Sequence, residues 1–219
     1  MVGTGATLEL TLGLKEYRVI NIIGVDEAGR GPLVGNVVAA AVIFPTNFHI
    51  KGLTDSKKLT EKKREDFYLK ITNQCFWSVG EASSIEIDQI NILQATMLAM
   101  KRAINNLQHK LLSQNKDEIF RVLVDGNRCP EVDNCIAIVK GDLTEPVISA
   151  ASVIAKVTRD RQMKELDLRF PEYGFKSHKG YCTKEHLSAL SIYGPIDGFH
   201  RKSFAPVKKL LINQSIQLK

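Results

Sequence analysis

Apolar and polar positions fall in blocks along the chain, and the period changes from block to block. Tyr17–Val25 and Val37–Phe44 are near-continuous apolar runs, the pattern of buried strands. The Gly- and Pro-rich link between them is too short for a crossover helix, which predicts antiparallel neighbours. Phe76–Gly80, Ile119–Val124 and Cys135–Val139 predict three more strands. Elsewhere the period lengthens. Ile87, Ile90, Leu93, Met97, Met100, Ile104 and Leu107 recur at three- and four-residue steps, predicting a long helix from Ser84 to near Gln114 with this stripe in the core. Glu61–Ile71 is expected to be a more charged helix behind a Thr60 cap. Pro146 opens a long helix over Ile148–Phe170, whose small first residues allow close approach to a neighbour or a ligand. Tyr173–Tyr181 reads as a loop, Thr183–Tyr193 as a short helix and Pro206–Ile212 as a last one, while residues 1–14 are weakly patterned. Strands early and helices late predict an α/β fold with a helical C-terminal lobe. The expected organisation is a single domain over residues 1–219, with an α/β core at about 15–170 and a basic helical extension at about 171–219.

The first strand ends in reactive groups. Gly24-Val25-Asp26-Glu27-Ala28-Gly29-Arg30-Gly31-Pro32 places two adjacent carboxylates at the mouth of a buried strand, followed by a tight turn. Such charges are costly to desolvate unless something positive sits beside them. Asp125 ends the fourth strand, and Asp142 closes the Lys140-Gly141-Asp142 segment after the fifth. Carboxylates delivered by three strand ends can converge above one sheet. Hard oxygen donors without a His or Cys cluster suit Mg²⁺ or Mn²⁺. Four acids can hold two such ions ~4 Å apart, an arrangement suited to phosphodiester hydrolysis. A competing explanation holds for Asp125-Gly126 taken alone, because Asp-Gly is ordinary turn chemistry. Neighbouring strand residues also point to opposite faces, so Glu27 joins Asp26 only if the strand ends there and the chain bends.

Composition narrows the classes. A chain of 219 residues that is 44% hydrophobic suits one globular domain. No apolar run approaches the ~18 residues of a membrane span. The first residues lack the segments of a signal peptide, so a cytoplasmic protein without a membrane partner is expected. Cys75, Cys129, Cys135 and Cys182 form no C-x-x-C pair and read as reduced structural thiols. The net charge of +6 lies wholly in the last 80 residues: residues 1–139 carry 16 Lys+Arg and 16 Asp+Glu, residues 140–219 carry 14 and 8. A basic lobe beside clustered acids suits a polyanion substrate. A soluble protein of high isoelectric point fits the charge equally well.

The segment Gly24 to Gly35 resembles the signature of prokaryotic type 2 ribonuclease H, ribonuclease HII. Further matches follow in the family's order: Asp55-Ser56-Lys57-Lys58-Leu59, Val124-Asp125-Gly126, Lys140-Gly141-Asp142, the Ile148–Asp160 helix segment and His178-Lys179-Gly180-Tyr181. The resemblance spans roughly residues 18–205. It implies an RNase H-like mixed five-stranded sheet flanked by helices. It implies Asp26, Glu27, Asp125 and Asp142 as catalytic, metal-binding acids for two Mn²⁺ or Mg²⁺ ions. It implies cleavage of RNA in RNA-DNA hybrids and 5′ of ribonucleotides embedded in duplex DNA, leaving 5′-phosphate and 3′-hydroxyl ends, in primer and ribonucleotide removal. The sister type HIII carries a substantial domain ahead of the motif and lacks the Gly-Arg-Gly turn. Only 25 residues precede Asp26 here and the turn is intact, which favours HII.

The resemblance also implies that Gly29, Arg30 and Gly31 read the 2′-hydroxyl, the group that separates RNA from DNA. It implies that Tyr181 packs on the deoxyribose beside the ribonucleotide. Ser149, Ser152 and Lys156 recur at helical spacing and could line a phosphate track, or the serines could simply pack the helix. Lys57, Lys58, Lys179, Arg201 and Lys202 are candidate phosphate contacts, and a monomer is expected. His178, His186 and His200 are scattered and read as ordinary polar residues. Cys182 stands where the resembled family more often has Gly or Pro. Two other classes compete with this reading: a hybrid-binding module without catalysis and a DNA-cutting nuclease of the same fold. The four acids count against the first and the ribose-reading turn against the second.

Overall fold

A computed structural model describes residues 20–112 and 119–217. The segment expected at residues 1–14, the start of the first strand and the end of the long helix near Gln114 lie outside them. Five strands form one mixed sheet in the order β3-β2-β1-β4-β5. They are β1 (Ile20–Ala28), β2 (Val37–Ile43), β3 (Phe76–Ala82), β4 (Ile119–Asp125) and β5 (Cys135–Ile138). β1 pairs antiparallel with β2, as the short link predicts, and parallel with β4. β2 is buried at every residue, which is why it reads as an unbroken apolar run.

Helices cover both faces. α2 (Ser84–Leu112) packs on one side against Ile23, Val25, Ala39, Ala41, Val122 and Val124. α4 (Pro146–Arg169) packs on the other against Ala40 and Val42, with α1 (Glu61–Gln74) outside it. The expected Thr60 cap is present: its Oγ1 accepts the Lys63 N–H at 3.3 Å. On the strand side of the contact the close approach depends on a glycine. A Cβ at Gly24 would lie 2.3 Å from the Val147 carbonyl carbon, so only glycine lets α4 come this close to β1.

Several boundaries differ from expectation. α2 is not continuous: Asn91 has φ 66° and its side chain caps a second segment by accepting from the Leu93 and Gln94 N–H groups. The predicted stripe is therefore only partly core. Ile87, Met100, Ile104 and Leu107 are buried with Ala95, Ala99 and Ala103, whereas Ile90 is exposed. Residues 171–178 are not a plain loop. A 3₁₀ turn (Pro171–Tyr173) and the short α5 (Phe175–His178) form there because Tyr173 and Phe175 bury their rings together. α6 (Lys184–Tyr193) and a longer last helix, α7 (Ala205–Gln217), complete the C-terminal lobe. Among the described residues no helix is long and apolar enough to cross a membrane.

Candidate active site

The register of β1 and β4 builds the acid cluster. Val25 pairs with Val124, so Asp26 and Asp125 follow side by side at the ends of two parallel strands. The third carboxylate arrives differently from expectation. Lys140 turns into left-handed backbone (φ 59°), and Asp142 sits in the first turn of the short helix α3 (Gly141–Thr144) instead of at a strand end. Its N–H donates to Asp125 Oδ1 at 3.3 Å. Carboxylate oxygens of Asp26, Asp125 and Asp142 all lie within 4.8 Å of one another.

Glu27 is not one of that set. β1 runs on through Ala28, because Glu27 and Ala28 pair with Ala39 and Val38 of β2. Strand alternation starts the Glu27 side chain away from Asp26, yet it reaches the cleft beside the acids and its charge still raises Asp26. Glu27 Oε1 accepts from Arg30 Nη1 at 3.2 Å.

The cluster is electrostatically strained. Burial raises the Asp26 carboxyl well above its ordinary value, and Glu27 and Asp125 push it further the same way. Burial, then Asp125 and Asp55, raise Asp142. Burial also raises Glu27, against the opposing pull of Arg30. Lys57 is the nearby counter-charge. Burial works against its ammonium, but Asp26, Asp55, Asp142 and Glu27 outweigh that and hold it above the ordinary lysine value. Three hard oxygen donors crowded within 4.8 Å of one another, with no thiolate or imidazole among them, fit a hard divalent cation.

Beside the acids lies a cleft of about 400 Å³, lined by Glu27, the Gly29–Pro32 turn, Lys57, Lys156, Arg159, Lys179 and Tyr181. Gly29 has φ +92°, and a Cβ there would meet Arg159 Nε at 2.0 Å, so both backbone and space demand glycine. Tyr181 is about half exposed, and its ring lies against Gly31.

A model of the family Ribonuclease HII matches residues 23–207. The chain belongs to the ribonuclease HII family. It is 56% identical over 195 residues to the ribonuclease HII of Polynucleobacter necessarius, covering 88% of this chain and 96% of that one. It is 55% identical over 193 residues to that of Acinetobacter baylyi, covering 87% and 97%. Among solved structures, the ribonuclease H2 of Pyrococcus horikoshii OT3 superposes with a TM-score of 0.70 at 26% identity, covering 88% of this chain and 98% of that one. The protein is thus an endonuclease of the ribonuclease H class, with the fold that the resemblance implied.

In this ribonuclease HII chain the small residues of α4 hold the acids in place. Ser152 lies beside the Asp26 carboxyl, where it partly offsets the upward shift, and its Oγ is 2.8 Å from Ser56 Oγ, which ties the Asp55–Leu59 segment to the helix. Ser149 Oγ donates to the Asp142 carbonyl at 2.8 Å. Lys156 faces the cleft and pairs with Asp160 at 2.7 Å, and Lys179 lines the same cleft. Lys202 pairs instead with Asp197, and Cys182 is exposed.

Two arginines carry more than the sequence shows. Arg201, a candidate phosphate contact by its charge, is fully buried. It donates to the carbonyls of Gly35 (2.9 Å), Arg30 (3.0 Å), Pro32 (2.8 Å) and Gly29 (2.6 Å), fixing the whole turn from beneath. Burial, reinforced by Arg159, lowers its guanidinium to about 9. Arg159 is 2% exposed and donates to the Val34 carbonyl at 2.8 Å, while its Nε and Nη1 have no hydrogen-bond partner among the described residues. A signal for Arg201 existed in the sequence, since His200-Arg201 lies in the Gly- and aromatic-rich segment after α6, but nothing there gives its burial.

Proposed function

We propose that the chain hydrolyses RNA strands paired to DNA and cuts 5′ of ribonucleotides embedded in duplex DNA, leaving 5′-phosphate and 3′-hydroxyl ends. In this reading it acts as a cytoplasmic monomer that removes RNA primers and misincorporated ribonucleotides. The observation that carries it is the acid triplet beside a basic cleft whose wall is the Gly29–Gly31 turn.

Asp26, Asp125 and Asp142 would hold Mn²⁺ or Mg²⁺, two ions in the catalytic state, with Glu27 joining them once its Arg30 contact opens. When bound, such ions activate water and neutralise charge on the departing 3′-oxygen. The chain does the rest. Backbone groups of Gly29, Arg30 and Gly31, held rigid by Arg201, hydrogen-bond the 2′-hydroxyl and so select the phosphate. Tyr181 packs on the neighbouring deoxyribose. Lys57, Lys156 and Lys179 hold backbone phosphates across the cleft. Ser149 and Ser152 keep Asp142 and Asp26 in place under that load.

The test is cleavage of a DNA duplex containing one ribonucleotide, of an RNA-DNA hybrid and of an all-DNA duplex, each with Mn²⁺ and with Mg²⁺. The first two should be cut and the third left whole. An all-DNA duplex cut at a similar rate would sink the assignment of the turn.

A further inference from the structure

The three histidines that lie far apart in sequence meet in the C-terminal lobe. His186 and His200 are buried, with Nε2 atoms 3.2 Å apart, and the His178 ring stacks on His186 at 4.6 Å. Their neighbours fix the protons. The Ile196 N–H donates to His200 Nδ1 at 2.8 Å, so a neutral His200 carries its proton on Nε2. That proton points at His186 Nε2, which must accept it. His186 therefore carries its own proton on Nδ1, and donates it to the Tyr181 carbonyl at 2.9 Å. The result is a one-way relay from the Ile196 amide to the backbone of Tyr181. His178 supports the same loop, accepting the Gly180 N–H on Nδ1 at 3.2 Å while Nε2 meets the Tyr173 carbonyl at 2.8 Å.

The relay passes through the residue before Arg201. His200 bridges to Val34, the Arg201 N–H donates to the Leu33 carbonyl, and the Arg201 side chain holds Gly29, Arg30 and Pro32. Two consecutive residues thus anchor both walls of the cleft: Arg201 the turn, His200 the tyrosine loop. A bond from the Leu33 N–H to the Gly180 carbonyl at 2.8 Å closes the frame.

We propose that His200 and His186 are positioning residues which, through the Tyr181 carbonyl, set the spacing between Tyr181 and the Gly29–Gly31 turn. That spacing decides whether ring and turn meet adjacent sugars, so the relay governs discrimination for the ribonucleotide-DNA junction. The inference rests on the reading of Tyr181 as the residue packed beside the ribonucleotide.

The test compares His186→Leu, which has no donor, with His186→Asn, whose amide nitrogen can replace Nδ1. Each is assayed on the single-ribonucleotide duplex and on an RNA-DNA hybrid. His186→Leu should lose about ten- to a hundredfold in kcat/KM on the first substrate. It should lose less than about threefold on the hybrid, and His186→Asn should recover most of the difference. A folded His186→Leu with the parent's substrate ratio overturns the proposal, as do equal losses on both substrates that His186→Asn does not rescue. Tyr181→Ala separates the two readings. If it leaves the ratio unchanged, the reading of Tyr181 fails and takes the proposal with it. If it collapses the ratio and His186→Leu does not, the proposal alone fails. NMR of the imidazole nitrogens in the parent decides the relay directly, whatever the variants' stability. His186 with its proton on Nδ1 and His200 with its proton on Nε2 support it, and an Nε2-protonated His186 overturns it.

Discussion

The acid cluster and the Gly29–Gly35 turn are neighbours in the chain, yet they are built on opposite principles. In the cluster, three carboxylates of one sign are held within 4.8 Å, two of them buried, with Lys57 as a partial counter-charge. In the turn, a buried guanidinium satisfies four carbonyls, and neighbouring backbone bonds complete the frame. The cluster needs a cation to offset its repulsion, whereas the turn needs nothing from outside to keep its shape. In the proposed reading, the groups that would take up ions are left unsatisfied, and the groups that would measure a sugar are held stiff in advance, since a loose ruler discriminates poorly.

The comparison breaks most visibly at Asp125. Asp125→Asn should lower the cleavage rate by about a thousandfold or more, since it removes a ligand from the centre of the cluster. With divalent ions chelated, the same change should raise Tm by about 2–4 °C, because one of three repelling charges is gone. A variant as active as the parent would refute the site, and an unchanged Tm would refute the strain.

Arg201→Met should do the reverse. It leaves the acids untouched but orphans the turn's carbonyls, costing about 3–5 kcal/mol in urea denaturation. If Arg201→Met unfolds at the parent's midpoint, the turn stands without its anchor.

Acid should separate the regions next. Burial lowers His200 to about 4, against 6.5 ordinarily. As pH falls, the unfolded chain takes up this proton first, so the contribution is full above pH 6.5 and is lost on the way to pH 4. From the gap it is worth about 3 kcal/mol. His186, also lowered by burial, adds in the same direction. The raised Asp26 and Asp142 work oppositely: their protonated forms favour the folded state at low pH, and that stability is lost as pH rises through their raised values. Urea melts at pH 7 and pH 4.5 should show a smaller acid loss in His200→Gln than in the parent. Equal losses would mean that His200 does not titrate as its burial requires.

The smallest expected effect is at Gly24. Gly24→Ala forces a Cβ against the Val147 backbone, lifting α4 from β1 at a cost of about 1–3 kcal/mol. Calorimetry should show it, with activity falling further than stability because Ser149 and Ser152 ride on α4.

The legible part of this protein is what repeats locally or comes as a short block. Unbroken apolar runs marked β1, β2 and β4, and the antiparallel step between β1 and β2 followed from a short link. Asp26 and Asp125 stood out as acids ending such runs. The misread parts are those where one residue changes direction. Lys140 in left-handed backbone moved Asp142 from a strand end into a helix turn, and Asn91 split a helix whose periodicity ran straight through it. Glu27 stayed in the strand because its partners on β2 continue the ladder, which no pattern in β1 itself reports.

By itself the sequence determined the family, the order of the elements and the acids at the strand ends, because each is written in contiguous residues with their own period or spacing. Only the tertiary structure decided which charges are buried. Arg201 and Lys202 are adjacent cations in the chain; one is fully enclosed beneath the turn and the other pairs with Asp197 at the surface. The same holds for the histidines: His178, His186 and His200 become a directed set only when α5, α6 and the segment after α6 close on one another. Burial and hydrogen-bond direction depend on what arrives from elsewhere in the chain, and local sequence does not encode that arrival.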